Sequence, residues 1–243
     1  MSGKVRNPAQ FVLVAFVLLS LAGTLALRLP WAVDDGVHLG WFDTMFWATS
    51  ASTITGLSTV DVSVFSPLGE AILLVLVQVG GFGIMTIGSA LALITSRRLG
   101  LRQRILAQTE LGADVEIGEM RALIAAIARF TLAAEAVLAV ILWAAFTMRH
   151  DLPVGRAAYH AAFHAITAWN NAGISLRSDS LRAYAGDPLV LLPISAAFVL
   201  GGLGFPILVE FVRRVPRRRW ALNTRITLLA TAVLLVVGPL FVL

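Results

Sequence analysis

The sequence has 243 residues, of which 58% are hydrophobic and 14% are charged, with a formal net charge of +5 and no cysteine. Soluble domains usually carry about 25% charged residues, so this composition excludes an ordinary soluble domain and indicates a polytopic membrane protein. The missing cysteine excludes disulfides and thiolate metal sites, and the arginines lie at the ends of apolar segments rather than on a nucleic-acid-binding face.

Five apolar segments are predicted to cross the bilayer, which needs roughly 20 apolar residues per helix. They cover residues 11–26, 71–96, 122–148, 188–209 and 226–243. A cleaved signal peptide is the rival interpretation of the first segment. Its uncharged run is long for a signal peptide, and Arg28-Leu29-Pro30 is a poor cleavage site.

The basic residues predict the orientation of the chain. Alternate loops hold 14 and 5 of the 19 lysines and arginines. Because cytoplasmic loops carry the excess of positive charge, we expect the N-terminus in the cytoplasm. The acidic loop from Leu27 to Glu70 then lies outside.

Two stretches on the outer side, residues 41–52 and 159–169, are too apolar for ordinary loops and too short to span. They keep one register, because Phe46 and Phe163 lie 117 residues apart, as do Gly56 and Gly173. Further on, residues 80–83 match residues 201–204 at a separation of 121 residues, both with the pattern Gly-Gly-X-Gly. The sequence therefore predicts a duplicated unit of spanning helix, short outer helix, glycine turn and spanning helix.

The predicted fold is an all-α membrane protein built from parallel, potassium-channel-like helix–pore-loop–helix repeats. Residues 1–118 form the first repeat with a cytoplasmic linker, residues 119–222 form the second, and residues 223–243 hold a further apolar helix, which the resemblance described below implies is the first helix of a truncated third repeat. Both complete repeats enter from the cytoplasm, unlike the inverted repeats of many secondary transporters.

The two glycine turns are the candidate cation site. Non-helical backbone at membrane depth survives only where it is buried in protein or lines water, and residues ending at a glycine can aim carbonyl oxygens at an ion. The C-terminal end of each short helix adds partial negative charge, and the turns hold no carboxylate of the kind that calcium or magnesium would recruit. The predicted backbone ligands of K+ are Thr53, Ile54, Thr55, Gly56, Asn170, Asn171, Ala172 and Gly173.

Simpler interpretations exist for each part of this site. Thr53, Ser58 and Thr59 also suit helix or turn capping, and Asn170-Asn171 also suits an ordinary turn. Close helix packing is the favoured interpretation of six further glycines, because a second helix must approach the filter closely. These glycines are Gly80, Gly81, Gly83, Gly201, Gly202 and Gly204.

Two carboxylates and two histidines complete the candidates. Glu135 and Glu210 lie within or near the membrane, where ionisable residues are functional candidates by default. Arg213 and Arg214 favour a structural ion pair for Glu210. His160 and His164 lie one turn apart without a third ligand in sight, and we interpret them as interface residues. No nucleophile–base pair or ligand set indicates an enzyme, and no cofactor is predicted.

These motifs resemble the membrane subunit of the Trk/Ktr/HKT superfamily of potassium transporters, most closely the bacterial Ktr-type subunit. The matching stretches follow the superfamily's order along the chain. They are residues 29–30, 51–61, 78–86, 97–102, 163–165, 170–173 and 201–206.

The resemblance implies potassium uptake across the bacterial cytoplasmic membrane, with Na+ or H+ as the alternatives for a coupling ion. It implies a pore surrounded by four repeats of one polypeptide, and it assigns the filter role to the residues from Thr53 to Gly56 and from Asn170 to Gly173. The implied partners are the lipid bilayer, a second copy in a homodimer, and a cytosolic nucleotide-binding ring, with no nucleic acid. The basic stretches 97–104 and 213–219 suit contact with the ring or with lipid headgroups.

The sequence departs from the superfamily by holding only two complete repeats. The third and fourth filter loops and the gating region are missing, and the chain ends inside an apolar helix at Leu243. We therefore expect a fragment of a longer protein, and a truncated, non-transporting membrane partner is the alternative function. Glycine in both turns favours potassium over sodium.

Overall fold

The computed structural model describes residues 8–98, 114–212, 216 and 220–242. Within them the chain is helical, with 3-10 turns at Val62–Val64 and Arg182–Tyr184 and an isolated bridge between Val33 and Phe65. The all-α prediction is thus confirmed for the described residues. The helices are α1 (Pro8–Leu27), α2 (Trp41–Ser52), α3 (Pro67–Arg98), α4 (Asp114–Arg149), α5 (Val154–Trp169), α6 (Pro188–Leu203), α7 (Phe205–Val212) and α8 (Leu222–Val242).

The five predicted spans fall on α1, on α3, on α4, on α6 together with α7, and on α8. Pro67–Thr86 and Ile124–Arg149 are long and apolar enough to cross a bilayer, and Val12–Leu27, Pro188–Leu203 and Leu222–Gly238 are shorter apolar helices. Large apolar side chains stand outward on them, with Leu13 65% and Leu234 69% exposed. Soluble surfaces rarely expose such stripes, whereas lipid tails solvate them.

The fourth predicted span is interrupted. Helix α6 ends at Leu203, and α7 begins at Phe205. Between them Gly204 has a φ of +84°, which ends a right-handed helix, and Pro206 has no backbone N–H to donate to the preceding turn. The apolar run from Pro188 to Val209 is therefore two helices rather than the single one predicted.

The contacts divide the chain into two compact units. The first contains Met1–Phe82 and Ala134–Phe198, and the second contains Gly83–Ala133 and Val199–Leu243. In the first unit a buried cluster around Trp47, Leu73 and Phe163 joins α2, α3 and α5. The ring of Trp47 meets Phe65 edge to face at a centroid distance of 5.3 Å. This cluster fixes the ends of the two short helices, α2 and α5.

The second unit has its own contacts. Phe130 meets Phe205 at a ring centroid distance of 6.2 Å, and the hydroxyl of Thr131 lies 3.7 Å from the sulfur of Met85. The carboxylate of Glu210 accepts a hydrogen bond of 3.2 Å from the backbone N–H of Ala221. These contacts hold the α7 helix and the start of α8.

Candidate functional site

The short helices α2 and α5 end in turns with the same hydrogen-bond pattern. In the first turn the N–H groups of residues 53, 54 and 55 donate to the carbonyls of residues 49, 51 and 50, at 2.9, 3.3 and 2.9 Å. In the second turn residues 170, 171 and 172 donate to residues 166, 168 and 167, at 3.1, 3.1 and 2.8 Å. Each donor and each acceptor of one turn lies 117 residues from its counterpart, which is the separation found in the sequence.

The backbone twist of the two turns also matches. Ile54 and Asn171 have φ values of 57° and 59°, and Gly56 and Gly173 have φ values of 72° and 68°. Asparagine tolerates the left-handed region, but a β-branched residue such as Ile54 rarely adopts it. Strained backbone of this kind concentrates at functional sites, and here it occurs at the positions that the sequence proposes as ion ligands.

The structure brings the two turns together. A Cβ atom added to Gly56 would lie 2.3 Å from the carbonyl oxygen of Ala172 and 3.5 Å from the Cα of Gly173. Only a residue without a side chain allows this approach. The candidate residues of the two turns therefore form one site, although they are far apart in the sequence.

The polar side chains of the first turn bond locally. The hydroxyl of Thr53 donates to the carbonyl of Thr49 at 2.7 Å, and Thr53 and Thr55 join their hydroxyls at 2.7 Å. Behind the turn the hydroxyls of Ser20 and Ser52 are 2.8 Å apart, which ties α1 to the end of α2. This turn is held by neutral hydroxyl and backbone groups.

A carboxylate and two amides hold the second turn. Glu135 of α4 accepts from Gln78 Nε2 at 3.0 and 3.1 Å, and from Asn170 Nδ2 at 2.9 Å. Asn170 Nδ2 also lies 2.9 Å from the carbonyl of Ile166 and 3.3 Å from Gln78 Oε1. Sequence reasoning named Glu135 as a candidate but missed its partners, because 35 and 57 residues separate them from it.

Two of the six packing glycines lie in α3 against the turns. A Cβ on Gly80 would be 2.0 Å from the carbonyl oxygen of Ser52, and one on Gly81 would be 1.9 Å from Asn170 Oδ1. Gly83, Gly201, Gly202 and Gly204 belong to the second unit. Gly201 and Gly202 lie in the last turn of α6, and Gly204 forms the break before α7.

The two histidines of α5 pack against the ring of Phe146. His164 is 3% exposed, and its ring nitrogens lie 2.7 Å from the carbonyl of His160 and 3.3 Å from the hydroxyl of Ser175. Both rings lie within 6.4 Å of the Phe146 ring, centroid to centroid. Among the described residues no group of three or more His, Cys, Asp or Glu side chains could hold a metal ion.

Asp187 and Arg149 form an ion pair at the end of the segment between the second turn and α6. Asp187 accepts from Arg149 at 2.8 Å, lies 3.0 Å from His150 Nε2, and accepts from the backbone N–H of Leu189 at 2.9 Å. Desolvation favours the neutral acid, but these donors outweigh it and hold the pKa of Asp187 below its ordinary range. The predicted pairing of Glu210 with Arg213 and Arg214 lies outside the described residues, as do residues 99–104 and 217–219 of the basic stretches.

Paired strained turns at the ends of short helices, set among long apolar helices, place this chain among helical membrane transport proteins. The match is specific: the chain belongs to the TrkH family of cation transport proteins, whose profile covers residues 2–243. This is a family of transporters rather than of enzymes.

Three relatives show how much of such a protein the chain covers. It is 34% identical to Ktr system potassium uptake protein B of Bacillus subtilis over 237 residues, covering 97% of the chain and 52% of that protein. Against the protein of the same name from Vibrio alginolyticus it is 36% identical over 232 residues, covering 94% and 50%. Against the potassium/sodium uptake protein NtpJ of Enterococcus hirae it is 28% identical over 233 residues, covering 96% and 51%. The chain thus spans about half the length of these relatives.

Proposed function

We propose that this chain supplies two filter turns to the ion pathway of a potassium uptake system. The carrying observation is that the two turns have one backbone geometry and meet at Gly56 and Gly173. Carbonyl oxygens of residues 53–56 and 170–173 coordinate a dehydrated K+ ion there, replacing its water shell. Two unrelated turns that met by chance would have no reason to share the 117-residue register. They would also have no reason to share a left-handed residue two positions before the glycine.

Potassium is the proposed ion for two reasons. The turns contain no acidic side chain, which suits a weakly hydrated monovalent ion better than a divalent one. Two of the relatives above are named potassium uptake proteins, and a third is named a potassium/sodium uptake protein. Na+ or H+ is the proposed coupling ion, and the chain itself binds no cofactor.

The proposed setting is the bacterial cytoplasmic membrane, crossed several times with the N-terminus in the cytoplasm. The excess of arginine and lysine in alternate loops supports this orientation. The proposed repeats are residues 1–118 and 119–222, with residues 223–243 starting a third, and two further turns of the same kind would complete the ring around the ion. A second copy of the protein and a cytosolic nucleotide-binding ring are the proposed partners.

Growth at low potassium tests the function. The gene that encodes this chain is expressed in a bacterium that lacks its own potassium uptake systems, and the membrane content of the protein is checked by immunoblot. Growth at micromolar potassium and uptake of rubidium are the expected results. No growth with the protein present in the membrane would contradict potassium uptake and favour a non-transporting membrane partner.

A further inference from the structure

The Glu135 carboxylate lies behind the second turn, in the middle of an apolar helix. It is 5% exposed, and its hydrogen-bond partners among the described residues are the side-chain amides of Gln78 and Asn170. A buried carboxylate is costly unless donors surround it, and an intramembrane carboxylate indicates a functional role by default. In the proposed function backbone carbonyls coordinate K+, and the Glu135 carboxylate does not. Its position behind the second turn therefore needs a separate explanation.

The carboxylate connects three helices at one point of the turn. Asn170 is the C-cap residue of α5 and the first residue of the proposed second filter segment. Its Nδ2 atom bridges Glu135 Oε1 and the carbonyl of Ile166, both at 2.9 Å. Gln78 closes the network by donating to both oxygens of Glu135. The network therefore links α3 and α4 to the residue at which the second turn begins.

Packing prevents the Asn170 amide from leaving this network. Its Oδ1 atom is buried, and a Cβ on Gly81 would lie only 1.9 Å from it. The amide is confined between the α3 backbone and the Glu135 carboxylate. Networks of this kind fix the geometry of a site by locking its supporting rotamers.

Within the described part of the chain, the first turn has no carboxylate network behind it. Thr53 occupies the position equivalent to Asn170, 117 residues earlier, and its hydroxyl bonds to Thr49 of its own helix. At the end of α2 the hydroxyls of Ser20 and Ser52 lie 2.8 Å apart, and the α3 backbone packs at Gly80 against the Ser52 carbonyl. Two turns with one backbone geometry are thus held by different chemistry, and a carboxylate network holds only the second.

We propose that Glu135 is a positioning residue of the second turn. Through Asn170 it holds the carbonyls of residues 170–173 at the spacing that prefers K+ to the smaller Na+, and the neutral first turn does not depend on it. Carbonyl filters discriminate between these ions by the size of the oxygen cage and by the number and field strength of its carbonyl dipoles. The selectivity part of this inference rests on the proposed function, whereas the positioning part does not.

Amide hydrogen exchange tests the positioning part in the full chain in lipid nanodiscs. Glu135→Met removes the carboxylate acceptor of both amides and leaves Asn170 Nδ2 only the Ile166 and Gln78 oxygens among the described residues, whereas Glu135→Gln keeps one acceptor oxygen. We expect exchange of the amides of residues 170–172 to rise about tenfold in Glu135→Met, because the turn opens more often once its network loses a buried acceptor. A smaller rise is expected in Glu135→Gln, and none in the amides of residues 53–55. Asp179→Asn, at an exposed carboxylate paired with Arg177, is the matched control and should change neither turn.

Ion competition in cells that express the gene tests the selectivity part. The ratio of rubidium to sodium uptake should fall in the order wild type, Glu135→Gln, Glu135→Met, with the Asp179→Asn control equal to wild type. Unchanged exchange at residues 170–172 in both Glu135 variants, or an equal rise at both turns, would overturn the positioning role. If the wild type transports potassium and the Glu135 variants keep its ratio of rubidium to sodium uptake, the selectivity role is overturned. If the wild type transports no potassium while exchange rises only at the second turn, the proposed function fails and the positioning role stands.

Discussion

Gly56 and Gly173 share a left-handed backbone but have different neighbours. A Cβ on Gly56 would meet the Ala172 carbonyl oxygen at 2.3 Å, whereas a Cβ on Gly173 would meet only the Cα of Gly56, at 3.9 Å. Gly173→Ala should therefore lower the free energy of unfolding by about 1–2 kcal/mol, because alanine disfavours the left-handed backbone. Gly56→Ala should lower it by about 1–3 kcal/mol more, because its Cβ would also crowd the Ala172 carbonyl. Thermal unfolding in detergent and rubidium uptake measure the two effects.

Gly36 serves to separate the conformational cost of an added side chain from the cost of crowding. It has a φ of +83°, and no described residue lies within 4 Å of an added Cβ, so that Gly36→Ala carries the conformational cost without crowding. The unfolding temperature should fall equally in Gly36→Ala and Gly173→Ala, and further in Gly56→Ala. Equal losses in all three variants would show that the two turns do not touch.

Asp187 makes the stability of the outer segment depend on pH. Its donors lower its pKa in the folded state, so that the unfolded chain takes up a proton first as the pH falls. The stabilisation is complete above the ordinary aspartate pKa of about 3.9 and is lost as the pH falls through the lower folded value. The unfolding temperature of Asp187→Asn, measured from pH 6 to pH 3, should decline less steeply than that of the wild type. Parallel curves would show that the Arg149 and His150 contacts do not stabilise the folded chain.

At the scale of elements, the approach of α3 to the end of α2 depends on Gly80. A Cβ there would lie 2.0 Å from the carbonyl oxygen of Ser52 and 2.8 Å from its carbon, and backbone atoms cannot rotate away. We expect Gly80→Ala to lower the free energy of unfolding by about 1–3 kcal/mol, and to reduce uptake by displacing the first turn.

Gly155 is the control for this substitution. It lies in α5, where an added Cβ would have no atom of the described residues within 4 Å, and alanine is the better helix former by about 0.5–1 kcal/mol. Gly155→Ala should therefore leave the unfolding temperature unchanged or raise it. A Gly80→Ala protein as stable as Gly155→Ala would contradict close packing of α3 on the turn.

The sequence predicted these elements where local pattern determines them. Apolar runs indicated the apolar helices α1, α3, α4, α6 and α8, and the 117-residue register indicated the two turns. The break at Gly204 was not predicted, because hydropathy is blind to one residue with positive φ. The network of Gln78, Glu135 and Asn170 was missed for another reason: it joins three helices distant in sequence, and no local pattern encodes such a contact. The assignments of residues 53–56 and 170–173 to a filter, and of the repeats, stay predictions.

At the scale of the whole molecule, the two turns form one site although different pairs of helices carry them. Membership of the TrkH family and the common geometry of the turns point to the same class of function. The chain spans about half the length of its relatives, and a closed ring of carbonyls around one ion needs more turns than two. The proposed uptake requires both turns to face the outside of the cell. The orientation of the chain in the membrane decides whether they do.

Single cysteines test this orientation directly, because the natural chain has none and each introduced thiol is the only reactive one. Ser178→Cys places a thiol at an exposed position between the second turn and α6, and Gln108→Cys places one in the basic linker predicted to be cytoplasmic. In intact cells a membrane-impermeant maleimide should label residue 178 fully and residue 108 only after the membrane is opened. The opposite pattern would turn both turns toward the cytoplasm and contradict the orientation deduced from 14 against 5 basic residues. Labelling of both residues in intact cells would place the linker outside as well. That result would require an even number of crossings between residues 108 and 178 instead of the single one predicted at residues 122–148.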